Sequence, residues 1–233
     1  MNKEVIEMNV GKIYKLPINN KTAYIAGVII GDGNISNSKK SKTDHSKDYR
    51  ITIEMIDKEF LETFSKLIKS LITTKSKVKC RLRDTKDKPH YSFQFRNKSF
   101  YYFLVNDLEI PAGKKSNIVQ IPHKLLSSMK LQKHFLAGLF DTDGGIRSNT
   151  LGFTSASQQL MKDTSKILST FRIKHNLESW LNKKYSTYYY GLRISLKDTD
   201  RFLNEFPIKN KNKLKKCFHH VDVPEWSNGQ DNF

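Results

Sequence analysis

One short apolar segment occurs twice in this chain of 233 residues. The first copy reads AYIAGVIIGDGNI over residues 23–35, and the second reads HFLAGLFDTDGGI over residues 134–146. When Asp32 is aligned with Asp143, the Ala-Gly pair, the apolar residues around it and the glycine after the acid coincide. A duplicated segment of this kind predicts a chain built from two similar units, and the chain is long enough to form two small ones.

The resemblance between the halves extends beyond the repeated segment. A later helix in each half has apolar residues at helical spacing and begins at a capping residue, Asp57 in the first half and Ser157 in the second. Two strand-like runs and a closing helix follow each capped helix, at 77–83, 91–96 and 100–104 and again at 177–182, 189–195 and 199–206. A further strand pair lies between the repeat and the capped helix, so each half reads αββαββα. The sequence therefore predicts an α+β fold of two tandem αββαββα subdomains.

The boundary between the subdomains is expected within residues 110–130. This connector contains two prolines and a glycine, which favour a break in regular structure. A polar tract at 37–48 lengthens the first strand pair, and we expect it to form an extended hairpin tip. The predicted organisation is an N-terminal extension, a first subdomain, the connector, a second subdomain and a basic C-terminal extension, at 1–21, 22–109, 110–130, 131–207 and 208–233.

The charge of the chain indicates a polyanionic partner. Lys and Arg number 41 against 23 Asp and Glu, which gives a formal net charge of +18. A solvated basic surface without such a partner is the alternative. Cys80 and Cys217 have no partner at disulfide or zinc-ligand spacing, so we expect a reducing compartment, cytoplasmic or organellar, and no secretion. The apolar stretches are too short to predict a membrane span.

Small residues recur on one face of the repeated segment. Gly27 and Gly31 in the first copy match Gly138 and Thr142 in the second. Small side chains allow two helix backbones to approach closely, whereas a glycine inside a helix otherwise costs about 1 kcal/mol relative to alanine. We therefore predict that the two motif helices pack against each other. A buried helix with tolerated glycines is the alternative.

The aspartate at the end of each copy is the strongest candidate for chemistry. Asp32 and Asp143 each precede a glycine that we expect to end the helix in the left-handed conformation. A carboxylate at a helix C-terminus is unfavourable unless a cation lies nearby. If the helices pair, the two acids and the free terminal carbonyls offer hard oxygen ligands that suit Mg²⁺. This arrangement predicts divalent-metal phosphodiester hydrolysis. An acid that only closes its own loop is the alternative.

Basic residues alternate along the third strand of the first half. The run KSKVKCRLR predicts a cationic sheet face suited to a phosphate backbone. Polar residues on the following strands, Gln94 and Arg96 in the first half and Arg193 and Ser195 in the second, extend this face and are suited to reading base edges. The second half is less basic, so the halves are expected to read different half-sites. The basic run contributes Lys75, Lys77, Lys79, Arg81 and Arg83.

The segments IAGVIIGDG and LAGLFDTDGG resemble the motifs of single-chain, two-motif LAGLIDADG homing endonucleases, of an archaeal or intron-encoded kind. The resemblance covers roughly residues 22–207. It implies subdomains related by a pseudo-twofold axis, with the motif helices at the centre and antiparallel sheets forming a DNA-binding saddle. It also implies a monomer that recognises a long pseudo-palindromic duplex site and makes a double-strand break with short 3′ overhangs, which promotes intron homing.

The same resemblance implies a metal site. Asp32 and Asp143 would bind the metal and activate water, and the carbonyl oxygens of Gly31 and Thr142 would complete the protein ligands. The expected cofactor is Mg²⁺, with Mn²⁺ as a substitute and Ca²⁺ as a cation that binds without supporting cleavage.

Basic residues near the motif are also assigned by the resemblance. Lys98 and Lys197 align with each other after the last strand of each half and would assist catalysis. Lys115, in the segment GKKS, resembles a family lysine that lies near DNA. Arg50 and Arg147 join the strand residues as expected DNA contacts.

Three positions depart from the family pattern. Ile30 replaces the first aspartate of the consensus, which Asp141 keeps, while Met55 and Ser155 stand where polar residues or glutamine are frequent. Glu54 is the candidate substitute beside Met55, and we expect the two DNA strands to be cut at unequal rates. An RNA maturase that assists splicing of its host intron, with intron RNA as a partner, and a non-catalytic DNA-binding regulator stay as alternatives.

Overall fold

The structure, a computed structural model, describes residues 5–6, 13–38, 47–81, 89–147, 149–184 and 186–221. Two short strands, β1 (Val5–Ile6) and β2 (Ile13–Tyr14), precede the first repeat. The first half then contains α1 (Asn20–Asp32), β3 (Gly33–Ser36), β4 (Arg50–Met55), α2 (Lys58–Lys69), β5 (Val78–Arg81), β6 (His90–Arg96), α3 (Lys98–Tyr102) and a π-helical turn (Phe103–Asp107).

The second half repeats this order after a short helix, α4 (His123–Leu126), in the connector. An additional helix lies in the region predicted only as a basic extension. The elements are α5 (Met129–Asp143), β7 (Gly144–Arg147), β8 (Thr150–Ser155), α6 (Gln158–Thr170), β9 (His175–Asn182), β10 (Thr187–Ile194), α7 (Leu196–Glu205) and α8 (Lys211–Val221).

The predicted αββαββα order is confirmed in both halves. Each half forms a four-stranded antiparallel sheet, with strand order β3-β4-β6-β5 in the first and β7-β8-β10-β9 in the second. The hairpin tip predicted at 37–48 falls mostly on residues 39–46, which lie outside the described residues. Within the described part of the chain, none of the helices is long and apolar enough to cross a membrane.

The two capped helices begin where the sequence predicts. The Asp57 carboxylate accepts a hydrogen bond from the backbone N–H of Phe60 at 3.0 Å, and the Ser157 hydroxyl accepts one from Leu160 at 3.2 Å. Each helix covers the apolar face of its own sheet, because strand residues alternate between the core and the opposite face. That alternation leaves the polar side chains of both sheets on the face away from the helices.

The motif helices α1 and α5 pack directly against each other, as predicted. A Cβ placed on Gly27 would collide with the carbonyl oxygen of Phe135 and lie 2.7 Å from the backbone nitrogen of Leu139. A Cβ on Gly138 would collide in the same way with the carbonyl oxygen of Tyr24. The two helices therefore touch through their backbones, and the glycines are required by space.

The glycines that end the motif helices differ from the sequence prediction. Gly33 and Gly144 have φ angles of −80° and −88° and not the left-handed conformation. Each helix runs straight into an extended strand, so no reversal of the chain is needed. Glycine is required here because a Cβ on Gly33 would lie 2.7 Å from the Cα of Ile29, and one on Gly144 would lie 2.7 Å from the Cα of Phe140.

Candidate active site and nucleic-acid interface

The two motif aspartates lie at the adjacent ends of α1 and α5. A Cβ on Gly31 would lie 2.8 Å from the Cβ of Thr142 and 3.3 Å from the Cγ of Asp143. The Asp143 carboxylate therefore lies against the backbone of the residue that precedes Asp32. The convergence of the two acids, expected from helix pairing, is thus present in the structure.

The surroundings of both acids favour their neutral form. Burial, and next the negative charge of Asp32, raise the pKa of Asp143 to about 7. Asp32 is the more exposed of the two residues, but burial of its carboxylate raises its pKa as well. Neither helix has a basic residue in its last turn, so compensating positive charge must come from other elements.

Lys115 supplies positive charge at the end of α1. Its side chain is buried, and its Nζ donates to the carbonyl oxygens of Ile30 at 2.6 Å and Gly31 at 3.5 Å. Burial lowers the pKa of Lys115, while the carboxylates of Asp143 and Asp32 act in the opposite direction. The lysine of GKKS thus lies beneath the motif, and its expected closeness to DNA stays a prediction.

Lys213, on the first turn of α8, occupies the matching position at the end of α5. Its Nζ donates to the carbonyl oxygens of Phe140 at 2.8 Å, Thr142 at 3.0 Å and Gly144 at 2.7 Å. Burial lowers the pKa of Lys213, and the nearby carboxylates, that of Asp141 first, oppose this shift. Each motif helix therefore has one lysine that satisfies its terminal carbonyls.

Lys213 was not among the residues predicted from sequence. The available signal was a proline followed within a few residues by lysines, which occurs after the closing helix of each half, at Pro111 before Lys115 and at Pro207 before Lys213. The spacing from proline to lysine differs between the halves, so the two lysines do not align in sequence.

The first sheet presents a polar face that matches the prediction in part. The register places Arg50 opposite Arg96, Thr52 opposite Gln94, and Lys79 opposite Ser92. These pairs share one face with Arg81, and the face borders a groove of about 670 Å³. The groove is lined by Thr73, Thr74, Lys75, Ser76, Lys77, Lys79, Arg81, Ser92, Gln94 and Arg96.

The predicted row of cations along one strand is shorter than expected. The strand begins only at Val78, so Lys75 and Lys77 reach the groove from the irregular segment before it. Arg83 lies outside the described residues. The cationic groove is therefore formed by a loop and a strand together.

Acidic residues neutralise the arginines of this face. Arg96 donates to the Asp48 carboxylate at 2.5 Å, and Arg50 lies 3.9 Å from the same carboxylate. Arg81 pairs with Glu54 at 2.7 Å. Within the described part of the chain, the lysines at 75, 77 and 79 have no ion-pair partner, so they carry the uncompensated charge of the groove.

The polar face of the second sheet is held by a network around Glu178. This carboxylate accepts from Arg147 at 2.8 Å and from Arg193 at 3.0 Å. The Arg147 guanidinium also lies 4.6 Å from the centroid of the Trp180 ring. Glu178 and Trp180, which stand opposite basic residues of the first half in the repeat, thus orient the two arginines of this sheet. Ser195 lies just beyond β10, at the start of α7.

Comparison with known proteins agrees with this arrangement. The sequence model of the LAGLIDADG-like domain matches residues 19–109 and 130–207. The chain belongs to the LAGLIDADG family. Its fold is that of the homing endonuclease I-DmoI: a structure of mesophilic I-DmoI variants superposes with a TM-score of 0.63 at 25% identity, covering 81% of this chain and 96% of that one. The I-DmoI complex with DNA and Ca superposes with a TM-score of 0.65 at 23% identity, covering 87% of this chain and 99% of that one.

Curated relatives of this LAGLIDADG protein have different lengths. The homing endonuclease I-DmoI of Desulfurococcus mucosus is 22% identical over 193 residues, which cover 83% of this chain and 90% of that protein. The replication factor C small subunit of Methanocaldococcus jannaschii is 30% identical over 204 residues, covering 87% of this chain. This chain spans only 10% of the latter protein and 21% of its Thermococcus kodakarensis counterpart.

The donor atoms at the LAGLIDADG helix ends suit a divalent cation. Among the described residues no group of three acidic, histidine or cysteine side chains gathers, so the protein ligands would be two carboxylates and main-chain carbonyls. The Gly31 and Thr142 carbonyl oxygens already face the ammonium groups of Lys115 and Lys213. These are hard oxygen donors, and each carbonyl oxygen keeps a second lone pair beside its hydrogen bond to the lysine, so the set fits Mg²⁺ with water or phosphate oxygens as its remaining ligands.

Lys98 and Lys197 lie in other surroundings. The Lys98 ammonium is 5.9 Å from the ring centroid of Tyr49 and 6.0 Å from that of Tyr102. Lys197 is exposed on the first turn of α7. The ammonium groups that act on the Asp32 carboxylate are those of Lys213 and Lys115. The catalytic roles of Lys98 and Lys197 stay predictions.

The positions that depart from the family pattern have structural roles. Met55 packs against the core at the end of β4, and the Glu54 carboxylate on the opposite face binds Arg81. The Ser155 hydroxyl accepts from the backbone N–H of Ser157 at 3.1 Å. The Glu54 carboxylate is therefore bound by an arginine of the polar face. This ion pair is not the role that we expected for Glu54, which was to substitute for a polar residue at Met55.

Proposed function

We propose that this protein is a site-specific, divalent-metal-dependent DNA endonuclease. It would recognise a long pseudo-palindromic duplex site as a monomer and make a double-strand break with short 3′ overhangs, which promotes intron homing. The observation that carries the proposal is the convergence of Asp32 and Asp143 at adjacent helix ends, beside the buried Lys115 and the partly buried Lys213. I-DmoI complexes with DNA and Mn and with DNA and Ca support the same class of activity.

The residues at the helix ends would have different roles in hydrolysis. Asp32 and Asp143, with the carbonyl oxygens of Gly31 and Thr142, would hold the cation, Mg²⁺ by preference with Mn²⁺ as a substitute and Ca²⁺ without cleavage. A cation held there would supply Lewis acidity towards a phosphoryl oxygen. Lys115 and Lys213 would keep positive charge fixed beside the scissile phosphates, where it stabilises the charge that develops during hydrolysis.

Lys115 and Lys213 are the basic residues that we favour for catalysis. Their ammonium groups contact the motif carbonyls, whereas Lys98 lies beside tyrosines and Lys197 faces solvent. Replacing each of the four lysines by methionine tests this choice. We expect cleavage to fall by about two orders of magnitude only in the Lys115→Met and Lys213→Met variants. Comparable losses of cleavage in the Lys98→Met and Lys197→Met variants would instead support a catalytic role for Lys98 and Lys197.

The polar faces of the two sheets would bind the DNA. The lysines of the first groove are suited to phosphates, and Gln94 presents an amide that can pair with a base edge. The proposed contacts are Arg50, Lys75, Lys77, Lys79, Arg81, Arg83, Gln94 and Arg96 in the first half and Arg147, Arg193 and Ser195 in the second. Nothing in the described residues favours RNA, so the maturase alternative is not carried further.

The test is cleavage of DNA from the host locus that lacks the insertion. The protein is incubated with that DNA and Mg²⁺, and the captured ends are sequenced. We expect one cut site, no cutting without divalent metal, and no cutting by Asp32→Asn or Asp143→Asn. Asp107→Asn is the matched control, because among the described residues the ion-pair partner of Asp107 is Lys124, at 3.9 Å on the surface. Tight binding without cutting would contradict the endonuclease and favour a DNA-binding regulator.

A further inference from the structure

Asp141 is a buried acid in the second motif that the proposed chemistry does not use. Its side chain is 2% exposed, and its carboxylate has three partners. The Tyr24 hydroxyl donates to Oδ2, the backbone N–H of Lys209 donates to Oδ2 at 2.8 Å, and that of Asn210 donates to Oδ1 at 3.1 Å. A buried carboxylate is tolerated here because each oxygen accepts at least one hydrogen bond.

The two amide groups that Asp141 holds lie immediately before α8. Asn210 starts this helix: its Oδ1 accepts from the backbone N–H of Lys213 at 2.9 Å, and its carbonyl oxygen accepts from that of Leu214 at 2.9 Å. Asp141 therefore fixes the first turn of α8 to the end of α5. The side chain that leaves this turn towards the motif is that of Lys213.

The first half holds its lysine in a different way. Ile30, a buried apolar residue, stands where Asp141 stands in the second motif. Lys115 follows a turn in which the backbone N–H of Gly113 donates to the carbonyl oxygen of Ile35 at 2.8 Å. Lys115 thus reaches the end of α1 although Ile30 offers no carboxylate at the position of Asp141. The two lysines are equivalent in position but depend on different supports.

We propose that Asp141 is a positioning residue for Lys213. By holding the start of α8, it places the Lys213 ammonium on the carbonyls at the end of α5 and makes α8 part of the second half of the catalytic centre. The first half, with Lys115, functions without it. This inference rests on the proposed endonuclease activity and explains why only the second motif keeps its first aspartate.

The variant that tests the proposal is Asp141→Asn. Asparagine has the same shape but only one acceptor oxygen, so its NH₂ group would face a backbone N–H of Lys209 or Asn210. The first turn of α8 would lose one anchor while the core stays filled. Asp107→Asn is again the control, since it changes the same charge on the surface.

The first measurement is the rate of nicking of each DNA strand by the full chain under single-turnover conditions. We expect Asp141→Asn to slow one strand by about tenfold and the other by no more than about twofold. Lys213→Met should slow the same strand, and the double variant should lose no more than Lys213→Met alone, because both changes act through one lysine. Equal slowing of both strands, or additive losses in the double variant, would overturn the proposal.

The second measurement does not depend on DNA cleavage. Trypsin cuts after lysine, and Lys211, Lys215 and Lys216 lie on α8. We expect Asp141→Asn to speed tryptic cleavage at these lysines by about tenfold, while Asp107→Asn matches the wild type. Unchanged protection of α8 would overturn the anchoring claim. If the wild type cuts no DNA yet Asp141→Asn exposes α8, the endonuclease proposal fails and the anchoring of α8 stands.

Discussion

At the scale of single residues, the helix-terminal aspartates are in an environment that opposes their charge. Burial raises the pKa of both acids, and Asp143 is further affected by the charge of Asp32. Lys115 and Lys213 compensate only in part, since the pKa of Asp143 still reaches about 7. Such a site is stabilised by a cation, and without one it weakens the folded state at neutral pH.

The raised pKa of Asp143 predicts that the stability of the metal-free protein depends on pH. The folded-state pKa of Asp143, about 7, exceeds its unfolded value of 3.8, so the folded state binds more protons between these values. The stability associated with this group is fully present below pH 3.8 and is lost as the pH rises through 7. Asn at this position does not titrate.

We therefore expect Asp143→Asn to gain stability relative to the wild type as the pH rises. In a chelating buffer, the two proteins should differ little near pH 4 and by a few kcal/mol near pH 8, measured by denaturant unfolding. A difference that is the same at both pH values would show that Asp143 has an ordinary pKa. Asp107→Asn should show no such trend.

A second prediction concerns Gly138, where the motif helices touch. A Cβ there would collide with the carbonyl oxygen of Tyr24 and lie 3.1 Å from the backbone nitrogen of Val28. Because both obstacles are backbone atoms, Gly138→Ala should destabilise the protein by about 2–4 kcal/mol, measured by denaturant unfolding. Gly113→Ala is the comparison: with φ at 80° and nothing near the new Cβ, it should cost only about 1 kcal/mol. Similar losses of stability in the two variants would argue against close contact between α1 and α5.

At the scale of elements, strand alternation decides which side chains face outward. It separates Arg50, Gln94 and Arg96 from the apolar residues beneath the sheet. Among the cations of this face, the arginines are paired with acids, whereas the lysines of the groove are uncompensated in the described part of the chain. The lysines should therefore account for most of the electrostatic binding of DNA.

This predicts a difference between lysines on the two sides of the first sheet. Lys79→Gln should reduce the slope of log Kobs for DNA binding against log salt by about one, because one phosphate contact is lost. Lys69→Gln removes the same charge from the exposed side of α2, behind the sheet, and should leave the slope unchanged. Binding measured at several salt concentrations checks this. Equal changes of this slope in both variants would mean that the position of the lysine does not matter for DNA binding.

Much of the element order could be predicted because it rests on local patterns. The capped helices, the alternating strands and the duplicated motif each carry their signal within a few neighbouring residues. The left-handed glycines were predicted wrongly, because a helix that runs straight into a strand needs space at Gly33 and not a reversal. The position of Lys213 depends on a contact between α8 and α5, which are distant in sequence. The proline that precedes it gives only a weak signal, because the spacing from proline to lysine differs between the halves.

At the scale of the whole molecule, the two halves are alike in fold but differ at their centre. Both contribute one aspartate and one lysine to the paired helix ends. Within the described part of the chain, the second half uses the helix that follows its subdomain, and the first half borders the lysine-rich groove. This asymmetry is the physical basis for expecting unequal cleavage of the two strands.

Mn²⁺ binding, measured by isothermal titration, shows whether Asp32 and Asp143 together form one cation site. The wild type and Asp107→Asn should bind Mn²⁺ with the same affinity. Asp32→Asn and Asp143→Asn should each weaken binding by about tenfold or more, because each removes one of the two carboxylates. Unchanged Mn²⁺ affinity in both Asn variants would contradict the account.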